Sequence, residues 1–149
     1  LADRDSFIGL IADGLHAHDV AMIIAIALAG RDRIMLITDA MPGAGLPDGV
    51  FDLVGFKVTV KDGQATLPDG TIAGSTVSMN RCVRNANQLV GVPLRDAVKM
   101  ASLNPARAMG FAHRLGSIAV GKDASLVVID DQVNVYLTMV KGQVVYSNL

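Results

Sequence analysis

The sequence contains no tryptophan, one cysteine and 4% aromatic residues, and these scarcities narrow the classes of protein that it can represent. The single cysteine, Cys82, excludes an internal disulfide framework and favours a reducing compartment, so we expect a cytoplasmic protein. Basic and acidic residues nearly cancel, at 13 and 14, and no basic block with interleaved aromatics occurs. Nucleic-acid binding therefore has little support.

Long hydrophobic runs are also missing. The apolar run Val20–Ala29 is too short to span a bilayer and is followed by Gly30 and Arg31, and we recognise no signal-peptide pattern, so we expect no membrane partner. What the chain does have is 51% hydrophobic residues over 149 positions, enough for one domain with layers buried on both faces. It begins at Leu1 and soon enters a strand pattern, which predicts the later part of a longer polypeptide.

The first third of the chain has the pattern of a parallel strand-helix-strand unit. Phe7–Ala12 and Ile34–Thr38 are continuous apolar runs, typical of strands buried on both faces. Between them, Asp19 is a candidate N-cap for a helix from Val20 to about Ala29, and Gly30 is a candidate C-cap. Because the connection is a single helix, the two strands should be parallel, with a right-handed crossover.

The rest of the chain alternates hairpin and helix patterns. Hairpins are predicted around Asp62–Gly63 within Val54–Leu67 and around Lys141–Gly142, after a strand at Leu126–Ile129. Between the hairpins we predict three helices. One is capped by Ser75, has an apolar stripe and ends at Gly91; one runs from Pro93 to about Leu103; a short one is capped by Asn104 and ends at Gly110. The predicted stripe consists of Met79, Val83, Ala86 and Val90.

Two polar residues follow the predicted parallel strands. Asp39 comes directly after Ile34–Thr38, and His16 follows Phe7–Ala12, so both should lie at the carboxyl edge, where ligands bind in α/β folds. A half-desolvated carboxylate there suits general acid-base work, although a helix cap or turn aspartate is the more common interpretation of this position. His18 reads better as a solvated residue at a helix start than as a metal ligand, because His16 and His18 alone do not complete a zinc site.

The other polar candidates are weaker. Gly74–Ser75 precedes a predicted helix whose N–H groups could bind an anion, although simple capping by Ser75 is the plainer interpretation. Arg81 and Arg84 read as a solvated helix face and His113 as a surface residue, so we assign them no function.

Five segments taken together resemble the carboxyl-terminal part of the N-acetylglucosamine-6-phosphate deacetylase family, within the amidohydrolase superfamily. They are DGLH (13–16), LITDAMPGAG (36–45), LPDGTIAGSTVSMNRCVRN (67–85), MASLNPARAMG (100–110) and GSIAVGKDASLVVID (116–130). The last is general to the superfamily, whereas TDAMPGAG with DGTIAGS points to the deacetylases.

The resemblance implies an α/β fold, the last part of a (β/α)8 TIM-type barrel with a small β-sandwich. Phe7–Ala12 and Ile34–Thr38 would be barrel strands seven and eight. The implied divisions are 1–53 for the end of the barrel, 54–70 for a hairpin insertion, 71–112 for the substrate loop and terminal barrel helices, and 113–149 for sandwich strands.

The resemblance also implies roles for individual residues. Asp39 matches the catalytic aspartate, which takes a proton from the metal-bound water and returns it to the departing amine. His16 matches a histidine that contacts the substrate. Ile72, Ala73 and Gly74 match a loop that touches the sugar phosphate, and Ser75 is a less certain addition.

In the family, a divalent metal, zinc or iron, is held by a glutamate and two histidines from earlier strands, and the enzyme is a homodimer. Those strands are absent here, so we expect the missing amino-terminal half to be a necessary partner, no metal to be held by this chain alone, and the isolated chain to be inactive. Two alternatives remain open: another amidohydrolase acting on a cyclic amide or amine, and a non-catalytic fragment or assembly module.

Overall fold

The computed structural model describes residues 3–149 as eight strands and four helices. In chain order these elements are β1 (Ile8–Ile11), α1 (Asp19–Ala29), β2 (Ile34–Ile37), β3 (Gly49–Leu53), β4 (Phe56–Lys61), β5 (Gln64–Thr66), α2 (Met79–Gln88), α3 (Leu94–Ala101), α4 (Leu103–Ala108), β6 (Leu126–Ile129), β7 (Val135–Val140) and β8 (Gln143–Ser147).

The predicted parallel strand-helix-strand unit is confirmed, but the prediction that its strands are buried on both faces is wrong: none of the four residues of β1 is buried, and Ile37 of β2 is 38% exposed. β1 and β2 pair in parallel from Ile8 opposite Ile34 to Ile11 opposite Ile37, and α1 connects them. Gly30 ends α1 with a positive φ of 78°, a conformation that glycine adopts without a Cβ penalty, and its N–H donates to the Ile26 carbonyl.

The predicted N-cap of α1 is wrong by one residue. The cap is His18, whose Nδ1 accepts the Val20 N–H at 3.3 Å, and Asp19 is the first helical residue. A carboxylate in the first turn still lies at the positive end of the helix dipole, so Asp19 remains favourable there without capping.

The main core lies between the parallel strands and the helices α1, α2 and α3. Its buried members include Met22, Ile26, Ile34, Leu36, Val83, Ala86, Ala97 and Met100. The apolar stripe predicted for α2 is confirmed at Val83 and Ala86. Met79 is 36% exposed, and Val90 lies beyond the end of the helix. Cys82 occupies a fully buried position, and burial raises the pKa of its thiol to about 11.

The start of α4 differs from the prediction because Asn104 makes a tertiary contact. Its fully buried side chain donates from Nδ2 to the carbonyls of Arg31 and Ile34, at 2.8 and 2.7 Å. The helix begins at Leu103, and Asn104 lies within its first turn. Its Nδ2 satisfies one carbonyl in the turn before β2 and one at the first residue of β2, so Asn104 fixes α4 to the parallel unit.

Both predicted hairpins are confirmed, and each belongs to a three-stranded antiparallel sheet. β4 and β5 turn at Asp62–Gly63, and β7 and β8 turn at Lys141–Gly142. The sequence did not predict β3, which pairs with β4 through a Val54–Gly55 turn in which both φ angles are positive, at 52° and 86°. Such a turn usually has the sequence Asn-Gly. Val54 is a β-branched residue that rarely adopts a positive φ, so the sequence does not indicate a turn here. This sheet therefore begins at Gly49, before the predicted range 54–70.

Arg84 is not the solvated helix residue that was predicted. It is partly buried and donates to the carbonyls of Gln132 and Val133 and to Asn134 Oδ1, at 2.6, 3.3 and 3.0 Å. These bonds join α2 to the connection between β6 and β7. Arg84 is therefore a structural link between the helical layer and the last sheet.

Within residues 3–149, none of the helices combines the length and the hydropathy needed to cross a membrane.

Candidate active site

The two parallel strands end at a common edge, as the sequence predicted. Ile11 and Ile37 are paired at the carboxyl ends of β1 and β2. The Asp13–His16 turn follows β1, and Asp39 follows β2 by two residues. Adjacent parallel strands therefore direct both segments to the same rim of the sheet.

Asp39 has an unusual backbone and an unengaged side chain. Its φ is +50°, a left-handed conformation that aspartate tolerates better than most residues but that still has a cost. Among residues 3–149, no hydrogen bond or ion pair engages its carboxylate, and the residue is exposed rather than half-desolvated as we had expected. Within the described residues, the Asp39 carboxylate is therefore open to solvent.

The loop at Gly74–Ser75 is joined to Asp39 through the backbone. Ser75 donates its N–H to the Asp39 carbonyl at 2.8 Å, and the Ser75 carbonyl accepts the Met41 N–H at 2.9 Å. Ala40 and Ser75 thereby form a short parallel bridge. The loop and the residue after β2 are thus held as one unit.

The predicted capping role of Ser75 is wrong. Ser75 is 4% exposed, its N–H is occupied by Asp39, and its Oγ accepts the Val77 N–H at 3.0 Å. α2 starts later, at Met79, with Ser78 as its N-cap. The backbone N–H of Ser75 is therefore used to position the residue that follows β2.

Gly74 is required by this close approach. Its φ is +71°, and a Cβ at this position would lie 3.0 Å from Met41 Cβ and 3.1 Å from the Asp39 carbonyl oxygen. Both the conformation and the space exclude a side chain without rearrangement.

Ile72 and Ala73 connect the same loop to the first antiparallel sheet. Ala73 donates its N–H to the Ala65 carbonyl at 3.0 Å, and Ile72 forms a bridge with Thr66 at the end of β5. The predicted substrate loop therefore lies between β5 and the end of β2, and it reaches Asp39 directly.

His16 is held by a neighbour that the sequence analysis did not single out. Asp13 Oδ2 lies 2.7 Å from His16 Nδ1, and the side chain of Asp13 is only 4% exposed, against 22% for His16. The Asp-Gly-Leu-His spacing is the available signal, because an aspartate at a turn often accepts backbone N–H groups two or three residues later. Among the described residues, no hydrogen bond or ion pair joins the His16 and Asp39 side chains.

The other two histidines are exposed, as predicted. His18 caps α1, and the Nδ1 of His113 lies 3.0 Å from the Gly110 carbonyl.

The described residues do not by themselves form a metal centre. Within residues 3–149, no three His, Cys, Asp or Glu side chains come together in a way that could hold an ion. All 14 acidic residues are aspartates, so the glutamate ligand implied by the resemblance has no counterpart in this chain. The carboxyl edge of the sheet supplies a free carboxylate and an oriented imidazole. Each of these groups can bind a polar substrate and can transfer a proton to or from it.

Comparison with known proteins identifies the family of this chain. The model of the amidohydrolase family matches residues 4–145. The chain belongs to the amidohydrolase family.

Its relatives include sugar-phosphate deacetylases. An Escherichia coli K12 protein provisionally named N-acetylgalactosamine-6-phosphate deacetylase is 43% identical, with the match covering 96% of this chain and 85% of that protein. The N-acetylglucosamine-6-phosphate deacetylase of Vibrio furnissii is 41% identical, over 95% of this chain and 35% of that enzyme.

Solved structures of the same enzyme type have the same fold over this region. A mutant N-acetyl-D-glucosamine-6-phosphate deacetylase from Mycobacterium smegmatis, in complex with N-acetyl-D-glucosamine-6-phosphate, aligns with a TM-score of 0.92 at 35% identity. The alignment covers 98% of this chain and 39% of that one. The chain thus spans less than two-fifths of these full-length deacetylases, although it spans most of the K12 protein.

Proposed function

We propose that this chain is the carboxyl-terminal part of an enzyme that hydrolyses the acetamide of N-acetylglucosamine 6-phosphate to glucosamine 6-phosphate and acetate. The observation that carries the proposal is the joining of Asp39 to the Gly74–Ser75 loop by two backbone hydrogen bonds, at 2.8 and 2.9 Å. A free carboxylate and a glycine loop are thereby held together at the carboxyl edge of a parallel sheet. The names of the relatives indicate the substrate class.

Asp39 is the proton carrier in this proposal. Hydrolysis forms a bond between a water oxygen and the acetyl carbon and breaks the bond between that carbon and nitrogen. The carboxylate accepts a proton from the water as it attacks and donates a proton to the nitrogen as it leaves, so one group acts as base and then as acid. An exposed carboxylate without a competing partner is free to make both transfers.

His16 and the loop 72–75 bind the substrate in this proposal. The ring of His16 is fixed by Asp13 at the neighbouring strand end. Ile72, Ala73 and Gly74 follow the first antiparallel sheet and are joined to Asp39 through Ser75, which supports a role for this loop in binding a substrate whose acetamide lies at Asp39.

The remaining parts of the proposal concern the assembled enzyme. β1 and β2 serve as strands seven and eight of a (β/α)8 barrel, residues 113–149 contribute to a β-sandwich, and the enzyme acts as a homodimer. A divalent metal, zinc or iron, belongs to that assembly. Residues 3–149 do not bring together a complete set of ligands for it, so in this proposal the ligands come from the amino-terminal half.

A second substrate has a specific observation in its favour. The provisionally named K12 relative is 43% identical and carries the galactosamine name, whereas the Vibrio furnissii glucosamine enzyme is 41% identical. N-acetylgalactosamine 6-phosphate differs from the glucose isomer only in the configuration of one hydroxyl. It is therefore the alternative substrate to test first.

A chimera tests the proposal. The segment of the Vibrio furnissii deacetylase that this chain matches is exchanged for residues 1–149, and acetate release is measured with both N-acetylhexosamine 6-phosphates and with unphosphorylated N-acetylglucosamine. We expect kcat/KM to be highest for N-acetylglucosamine 6-phosphate and to fall at least tenfold without the phosphate. A preference for the galactose isomer supports the second candidate, and equal rates with and without phosphate contradict both.

A further inference from the structure

Asp13 makes all its hydrogen bonds to the turn that carries His16. Its Oδ1 accepts the N–H groups of Leu15 and His16, at 2.9 and 3.0 Å, and its Oδ2 lies 2.7 Å from His16 Nδ1. Burial opposes ionisation of this carboxyl, but the two backbone N–H groups and the His16 ring outweigh it, and the pKa of Asp13 is lowered below 3.8. At neutral pH Asp13 is therefore a carboxylate, which can only accept hydrogen bonds.

This charge state decides which nitrogen of His16 carries the proton. Nδ1 faces a carboxylate oxygen at 2.7 Å and must donate, so the neutral ring carries its proton on Nδ1. Nε2 then has a free lone pair. The side chain of His16 keeps 22% exposure, and a ligand can approach it.

We infer that Asp13 is a positioning residue that holds His16 in the Nδ1–H tautomer, so that the unprotonated Nε2 accepts a hydrogen bond from a donor group of the substrate. The inference rests on the proposed function for the role of His16, but the tautomer itself rests on the geometry of the turn and on the charge of Asp13, and it does not depend on that function. A carboxylate that orients a histidine in this way is a common device of functional sites.

The chain contains three histidines, and the other two are internal standards. His18 Nδ1 accepts the Val20 N–H at 3.3 Å, so His18 should carry its proton on Nε2. His113 Nδ1 lies 3.0 Å from the Gly110 carbonyl oxygen, which can only accept a hydrogen bond. His113 should therefore be in the Nδ1–H tautomer, and substitution of Asp13 should not change it.

The direct test is nitrogen NMR of the chain labelled with 15N-histidine, at a pH where all three rings are neutral. Ring nitrogens with and without a proton differ widely in chemical shift. We expect two rings protonated on Nδ1, His16 and His113, and one on Nε2, His18. A wild-type His16 with its proton on Nε2 overturns the inference, whatever any variant does.

Asp13→Asn is the matched perturbation. The amide oxygen can still accept the N–H groups of Leu15 and His16, but the amide nitrogen then donates to His16 Nδ1. We expect His16 alone to switch to the Nε2–H tautomer, with the signals of His18 and His113 unchanged. A His16 signal that stays in the Nδ1–H form contradicts the control by Asp13.

Kinetics of the chimera test whether Asp13 positions His16 or only stabilises the fold. Asp13→Asn should raise KM about tenfold, the scale of one lost hydrogen bond, while kcat changes less. In a His16→Ala background the same substitution should have no further effect, because Asp13 acts only through the ring. An additive loss overturns the positioning role. A wild-type chimera without activity counts against the proposed function, and the NMR still decides the tautomer.

Discussion

The parallel unit and the antiparallel sheets of this protein are built differently. β1 and β2 are covered by α1, α2 and α3, and their core is continuous through the layers. The first antiparallel sheet has a small core of its own around Met41, Val58, Val60 and Ala65, and β8 of the last sheet is exposed along its length. Packing between layers stabilises the parallel unit, whereas tight turns and pairing between neighbouring strands stabilise the antiparallel sheets.

The candidate site draws on both regions. The parallel unit supplies the two side chains proposed to act on the substrate, Asp39 and His16, at its carboxyl edge. The antiparallel region supplies a backbone brace, because the loop after β5 places Ser75 against Asp39. The parallel unit thus presents an exposed carboxylate at a residue whose backbone is fixed by a second region.

The largest expected effect is on the proposed proton carrier of the parallel region, Asp39. In the chimera, Asp39→Asn should lower kcat by about 10²- to 10⁴-fold, because an amide cannot accept the proton. Asp131→Asn, in an exposed connection of the last antiparallel sheet, is the matched control and should leave kcat unchanged. Steady-state acetate release measures both, and a near-normal rate for Asp39→Asn removes the residue from the mechanism.

The second expected effect concerns stability. Leu36→Ala in β2, where the side chain is 1% exposed, should lower the free energy of unfolding by about 2–5 kcal/mol, through lost burial and a cavity. Val145→Ala in β8, where the side chain is 60% exposed, should change it by less than about 0.5 kcal/mol. Urea denaturation measures the difference. Equal effects contradict the contrast between the two regions.

The third effect lies at the junction. Gly74→Ala should lower stability by about 1–2 kcal/mol through strain and contact with Met41 and the Asp39 carbonyl. It should also lower kcat/KM in the chimera by displacing Asp39. Gly91→Ala is the control, because its φ is +77° but a Cβ there meets nothing within 4 Å. Thermal melting and kinetics should show that only the Gly74 variant loses activity.

The smallest effect is a pH dependence. The pKa of Asp13 in the parallel region is lower in the folded protein than the ordinary value of 3.8. The ionised carboxylate therefore contributes its full stabilisation above pH 3.8, and this contribution is lost as the pH falls through the pKa of the folded state. The unfolding free energy of wild type relative to Asp13→Asn should therefore decrease in acid. A difference that is constant with pH is the contrary result.

The sequence predicted most of the fold because most of its signals are local. Apolar runs identified β1 and β2, and Asp62–Gly63 and Lys141–Gly142 identified the hairpins. The errors occurred where tertiary hydrogen bonds compete with local ones. Asn104 and Ser75 are residue types that often cap helices. In the structure, Asn104 instead donates to carbonyls around the start of β2, and Ser75 donates its N–H to the Asp39 carbonyl.

The candidate site was predictable in part for the same reason. Strand-end position indicated Asp39 and His16, and their common rim is confirmed by the pairing of β1 with β2. The brace at Ser75 was not predictable, because it joins residues far apart in the chain. Asp13 could have been recognised from its spacing to His16, since that contact is local.

The most direct test of the account is acetate release from N-acetylglucosamine 6-phosphate by two proteins, the isolated 149-residue chain and the chimera that adds an amino-terminal half. The account predicts no acetate above background from the isolated chain and metal-dependent turnover by the chimera. Turnover by the isolated chain, or a folded, metal-loaded chimera that releases no acetate from either N-acetylhexosamine 6-phosphate, would contradict it.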